Sequence, residues 1–231
     1  MGSGPVPRGA QLTPLWHPSP NCGPRRDGAV PDMVVLHYTA MQSAAGARDW
    51  LCNPEAQVSA HYVIGFCGTV WQLVDEADRA WHAGAGAWGS VTDVNSRSIG
   101  IEIANTGATP FAAAQIDALD DLLGGIVERH KIRPERVIGH SDMAPGRKID
   151  PGARFDWQRL ARQGLSIWPE AIGEGDFISN ARMFGYTSNV SPEVLLHSFR
   201  LRFNPGATGP LTAKDSALMA NLAQRWPVAA S

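Results

Sequence analysis

Residues 98–105, SIGIEIAN, set the narrowest limits on what this chain can fold into. Ile99, Ile101 and Ile103 recur at the two-residue period of a strand, so all three project to one face. Gly100, Glu102 and Ala104 share the other face. A carboxylate between two minimal side chains has space in front of it, which suits a groove better than a packed core. The stretch predicts a strand with an apolar layer behind it and an open site before it.

The segments around it alternate between strand and helix. MVVLHYT (33–39) is a short β-branched run with His37 near its end, and SAAGARDWLC (43–52) predicts a helix closed by Asn53-Pro54. HYVIGF and TVWQLV (61–66 and 69–74) predict a hairpin around Cys67-Gly68. RAWHAGAGAWGS (79–90) carries too many glycines for either element and predicts an exposed loop. Thr109-Pro110 opens a helix with Ile116, Leu119, Leu123, Ile126 and Val127 on one stripe. ERVIGH (135–140) predicts a strand ending on His140, and FDWQRLARQGL (155–165) a further helix. Interleaved strands and helices give an α/β fold with a mixed central sheet flanked by helices.

The composition changes near residue 168. Three short helices are predicted beyond it and no strand. Asp176 starts the first, which stops at Gly185; Ser191-Pro192-Glu193 starts the second; Thr212 with Asp215 starts the third, which has Leu211, Leu218, Leu222 and Trp226 along one side. The expected organisation is a domain over 1–168, with 1–31 as an irregular Pro/Gly-rich arm, and a small three-helix domain over 169–231.

A net charge of −2 and the lack of any basic run exclude the electrostatic footprint of a nucleic-acid binder. No segment is long and apolar enough to insert in a membrane. MGSGPVPRGAQLTPLW lacks the apolar stretch of a secretory signal, so the expected compartment is the cytoplasm, or the periplasm if a leader has been removed. Cys22, Cys52 and Cys67 form no CxxC pair and read as small buried hydrophobes.

GHSDMAPGRKIDPG (139–152) concentrates His140, Lys148 and Asp150 in a segment that Pro145, Gly146 and Pro151 prevent from being one regular element. His37 and His140 with Asp150 match the two-imidazole, one-carboxylate ligand set of a catalytic zinc site. Lys148 and Asp150 fall on the same side of an extended segment, which brings the ammonium near a developing oxyanion. Glu102 is placed to take a proton from water. Each residue taken alone has a plainer reading. A strand-end histidine is commonly structural, Lys148 beside an aspartate is commonly a surface ion pair, and Glu102 also fits a solvent-facing edge strand. No HExxH helix settles the matter by spacing.

VVLHYTA, SAHYVI, RAWHAG, SIGIEIAN and GHSDMAPGRKIDPG, in this order and spacing, resemble the zinc-dependent N-acetylmuramoyl-L-alanine amidases of the type-2 amidase family, whose fold is shared with peptidoglycan-recognition proteins. The resemblance runs from about Trp16 to Trp168. It implies a Zn2+ cofactor held by His37, His140 and Asp150, with Glu102 as catalytic acid/base and Lys148 as the catalytic loop lysine. It also implies that Trp81 and His82 line the substrate groove. Phage relatives place a catalytic tyrosine where this chain has Ala60, so a glutamate-dependent mechanism is implied. His61 is expected in the core or behind the site, and His17, His130 and His197 at the surface. The implied reaction is hydrolysis of the amide between the lactyl group of N-acetylmuramic acid, or its anhydro form, and L-alanine of the stem peptide. The implied partners are muropeptides, in peptidoglycan recycling or turnover. A non-catalytic peptidoglycan-binding module on the same fold is the alternative. The last helices resemble a small peptidoglycan-binding module, more loosely, through helix count and FRLRFNP (199–205); a helical extension that only braces the first domain is the other reading.

Overall fold

The computed structural model describes residues 13–228. In chain order the elements are β1 (Leu15–Trp16), β2 (Cys22–Pro24), β3 (Met33–Tyr38), α1 (Ala44–Leu51), β4 (Tyr62–Ile64), β5 (Val70–Gln72), β6 (Asp78–Ala80), α2 (Val94–Arg97) and β7 (Ser98–Ile103). They continue with α3 (Ala113–His130), β8 (Val137–Gly139), α4 (His140–Met143), α5 (Trp157–Arg162), α6 (Phe177–Phe184), α7 (Pro192–Phe203) and α8 (Ala213–Arg225). A six-stranded mixed sheet runs β1-β5-β4-β7-β3-β8, and β2 pairs with β6 in a separate ribbon. The hairpin β4–β5 is antiparallel, whereas β4, β7, β3 and β8 are mutually parallel. This is the expected α/β architecture with its mixed central sheet.

The two faces of the sheet are covered differently. Val34, Leu36, Ile99, Ile101 and Ile103 pack against Leu119, Leu123 and Ile126 of α3 and Leu160 of α5. Burying each such side chain contributes about 1.5–3 kcal/mol, so this layer anchors the strands. Met33 and Val35 alternate to the other face of β3, where they join Trp88, Met143, Phe184, Phe199, Phe203 and Leu222 in one core. The C-terminal helices therefore share a core with the sheet, on the face that also carries His37.

The caps follow the sequence. Asp176, Ser191 and Thr212 accept backbone N–H bonds from Ser179, Val194 and Asp215, and Thr212 with Asp215 completes a reciprocal capping box. Leu218 and Leu222 are buried as the stripe requires, while Leu211 precedes α8 and is exposed.

Four expectations are corrected. Residues 1–12 lie outside the described residues, but the rest of the expected irregular arm contains β1, which extends the main sheet beside β5, and β2, which pairs with β6. Strands of two or three residues are too short to show a period. The α3 helix begins at Ala113, not at Thr109-Pro110, because Gln115 Oε1 accepts the Ala112 N–H at 3.0 Å and closes the N-terminus there. The glycine-rich segment 79–90 is not simply exposed: Trp88 is fully buried, and Gly185 lets the backbone approach it where a Cβ would lie 2.5 Å from the indole. Cys22 and Cys52 are only half-buried and Cys67 is exposed at the hairpin turn.

Candidate active site

Sheet register assembles the site. His37 on β3 pairs with Glu102 on β7, and Leu36 pairs with Gly139 on β8, so His140 follows one residue on in the same row. Side chains abreast on neighbouring strands point to one side. The chain turns at Gly139, making His140 the first residue of α4 and not the last of a strand. The loop then returns Asp150, whose backbone carbonyl accepts the Ser141 N–H at 2.9 Å.

His37 Nδ1 and His140 Nδ1 lie 2.9 Å apart, and Asp150 Oδ2 lies 2.9 Å from the first and 3.0 Å from the second. His37 and His140 are buried, as is Asp150. The hydrogen bonds behind the rings show which nitrogens carry protons. His140 Nε2 donates to the Ala83 carbonyl at 2.8 Å, which leaves Nδ1 as a bare lone pair. For His37 the same answer comes through a relay. The Val94 carbonyl can only accept, so Ser98 Oγ donates to it, and His82 Nε2 donates to Ser98 Oγ at 3.2 Å. His82 Nδ1 is then the acceptor for His37 Nε2 at 3.0 Å, and His37 Nδ1 is bare. Two imidazole lone pairs and a carboxylate oxygen thus converge on one point, an arrangement that a cation stabilises and that is repulsive without one. Backing each ligand histidine through its second nitrogen is the usual construction of a metal site. The residues fit a metal ion.

The electrostatics agree. Burial, then the neighbouring His140, lowers the His37 pKa to about 4, which keeps the ring neutral. Glu102 is half-buried and its Oε2 has no hydrogen-bond partner among the described residues. Burial, reinforced by Asp150 and offset by Lys148, raises its pKa to about 8. A carboxylate poised near neutral pH suits proton transfer.

His37, Glu102, His140, Lys148, Asp150, Trp81 and His82 all line one cavity of about 510 Å3. Among the described residues Lys148 makes no ion pair, and Asp142 in the same loop is engaged by Arg202. His82 lines this cavity and also backs the site. Both its ring nitrogens are committed to His37 and Ser98, and the ring fills the space before Gly100, where a Cβ would lie 2.4 Å from it. The open face of β7 is therefore confined to Glu102, and the strand glycine was the available signal of a close approach. His61 is buried behind the site, accepting the Gly100 N–H at 3.0 Å. His130 is partly exposed, and its Nε2 meets Glu76 at 2.7 Å.

Sequence reasoning missed the rim. Trp50, Val58 and Ile149 are exposed apolar side chains at the cavity mouth, and Arg147 reaches across it to donate to the Ala83 carbonyl at 2.6 Å. No local pattern marks them, because the rim forms only when α1, the segment that follows it and the 139–152 loop meet.

A family model described as N-acetylmuramoyl-L-alanine amidase matches residues 27–153. The N-acetylmuramoyl-L-alanine amidase AmiD of Escherichia coli is 42% identical over 155 residues, 60% of this chain and 55% of that protein. This chain thus spans little more than half of that relative. The 1,6-anhydro-N-acetylmuramyl-L-alanine amidase AmpD of Enterobacter cloacae is 32% identical over 160 residues, 62% of this chain and 86% of the relative. A solved complex of E. coli AmiD with the substrate anhydro-N-acetylmuramic acid-L-Ala-D-gamma-Glu-L-Lys superimposes with a TM-score of 0.76 at 33% identity, covering 87% of this chain and 92% of the other.

Proposed function

Because the chain belongs to the N-acetylmuramoyl-L-alanine amidase family, matched over residues 27–153, we propose that it hydrolyses the amide between the lactyl group of muramic acid and L-alanine in muropeptides. The substrate bound to AmiD supports the anhydro form as the one to test first. The observation that carries the reading is the row formed by sheet register: two bare imidazole nitrogens and the Asp150 oxygen on one side, and the unpartnered Glu102 carboxyl beside them.

His37, His140 and Asp150 would hold the cofactor, which we assign as zinc from its preference for two imidazoles and a carboxylate. When bound, zinc supplies Lewis-acid chemistry, polarising the amide carbonyl and lowering the pKa of water to about 7. Glu102 takes a proton from the attacking water as the new C–O bond forms. It then delivers that proton to the amide nitrogen as the C–N bond breaks, freeing the alanine amine. Lys148 stabilises the negative charge that develops on the carbonyl oxygen. The apolar rim of Trp50, Val58 and Ile149 gives the ligand a surface to lie against, and the buried wall behind His37 excludes bulk water.

The test is incubation of the purified protein with defined anhydro- and intact muropeptides, with products read by mass spectrometry. Release of the free stem peptide and the free muramic acid sugar supports the reading. Binding without cleavage in the zinc-loaded protein contradicts it, and favours the non-catalytic alternative.

A further inference from the structure

Asp142 stands two residues after His140, on the single turn α4, and is buried to 1% exposure. Its Oδ2 accepts the Gly139 N–H at 2.8 Å, closing the turn that presents His140. The same oxygen accepts Arg202 Nη1 at 2.8 Å, and Oδ1 accepts the Tyr186 hydroxyl. Tyr186 follows α6, and Arg202 lies on α7, so both partners come from the C-terminal helices. Arg202 is itself 1% exposed, donates through Nη2 to the Val137 carbonyl at 2.9 Å, and lies 4.3 Å over the Trp157 ring. Tyr186 packs edge-on against Trp88, with ring centroids 5.1 Å apart.

A buried ion pair seldom adds net stability over apolar groups of the same shape, because desolvation consumes the Coulombic gain. Apolar residues would dock α7 on the sheet equally well. A hydrogen-bonded carboxylate adds direction: Asp142 can satisfy Gly139, Tyr186 and Arg202 together only in one orientation of the turn. That turn carries His140 Nδ1, and its Ser141 N–H is bonded to the Asp150 carbonyl at 2.9 Å. Two of the three converging donors are therefore attached to one turn, and the turn is gripped from the C-terminal helices.

We propose that the C-terminal helices are a positioning element of the metal site. Tyr186 and Arg202, acting through Asp142, fix the turn that brings His140 and Asp150 to metal-binding distance. The inference rests on the metal reading above, but it concerns this chain's own clamp and not the reaction. It gives residues 177–203 a role in cation affinity that requires no contact with ligand or substrate.

The test compares Tyr186→Phe and Arg202→Met with Leu222→Ala, which opens the shared core away from the clamp. Zinc affinity is measured by chelator competition at a temperature where circular dichroism shows every variant folded, together with amide exchange at Gly139 and Ser141. Both clamp variants should bind zinc roughly 10-fold more weakly or worse, the scale of lost outer-shell partners, and lose amide protection at the turn. Leu222→Ala should lower the melting temperature and leave zinc affinity unchanged. If Arg202→Met does not fold, Tyr186→Phe decides alone, since it removes a single oxygen and keeps the ring on Trp88. Wild-type zinc affinity and turn protection in the clamp variants, with only a lower melting temperature, would overturn the proposal. A wild-type protein that binds zinc but cleaves no muropeptide sinks the proposed reaction and leaves this test intact. A wild-type protein that takes up no zinc removes both.

Discussion

The corner around Asp142 and the pocket around Glu102 lie on the same half of the sheet, and each withdraws a carboxyl group from water. At Asp142 an N–H, a phenol and a guanidinium satisfy both oxygens. At Glu102 one oxygen has no partner among the described residues, and the pKa is raised to about 8 by burial, then by Asp150. Leaving a buried polar atom unpaired costs about 1–3 kcal/mol, so the two acids bear opposite relations to stability. The satisfied acid holds structure. The unsatisfied one keeps its lone pairs available for a proton, which is what the proposed chemistry needs.

The largest expected effect is at the unsatisfied acid. Glu102→Gln keeps the shape and removes the base, so turnover should fall roughly 10²–10⁴-fold with zinc content unchanged and melting temperature undiminished. Metal analysis and thermal melts on the same preparation check this; loss of zinc along with activity would mean that Glu102 serves as a ligand. Asp142→Asn should instead cost stability, about 3–5 kcal/mol in urea denaturation, because it strands Arg202 in the interior. A stability change near zero would erase the contrast between the two regions.

Lys148 belongs with the Glu102 pocket, although its position in the 139–152 loop puts it near the Asp142 corner. Its substitution by alanine should lower kcat about 10²–10³-fold with little change in KM. Near-wild-type turnover with metal bound would leave Lys148 as a bystander in the cavity wall.

Glu76 sharpens the comparison by a smaller amount and from a distance. Burial pushes its carboxyl up, but hydrogen bonds from Arg129, His130 and Tyr62 prevail and lower its pKa from 4.5 to about 2. Its folded pKa lies below the unfolded one, so its stabilisation is present above about pH 4.5 and lost as pH falls toward 2. Discounted for the solvent contact of Arg129, the effect is about 1–2 kcal/mol. Denaturant midpoints measured down the acid limb should show it, and Glu76→Gln should flatten that limb.

The sequence made legible whatever repeats locally. Ile99, Ile101 and Ile103 alternate, the α3 stripe recurs at helical spacing, and Asp176, Ser191 and Thr212 cap where short polar side chains precede apolar runs. Family motifs mark His37, Glu102, His140, Lys148 and Asp150, and all five line one cavity. The clamp left only a faint mark: Arg202 falls at helical spacing with Leu195 and Phe199, inside an apolar stripe, where a charge implies a buried partner. Its partner is 60 residues away, beyond any local pattern. Trp88 was hidden for a similar reason, since a glycine-rich loop reads as solvent until the C-terminal helices close over it. The His82 ring against Gly100 was likewise invisible, because the pairing joins a loop to the middle of a strand.

Zinc titration into metal-stripped protein tests the central claim most directly, with anhydro-muropeptide cleavage followed at each addition. Three convergent donors with one open position predict that activity rises from near zero and reaches its plateau at about one zinc per chain. His140→Ala should show no such rise at the same concentrations. Full cleavage by the wild-type protein while metal analysis finds none bound would contradict the account.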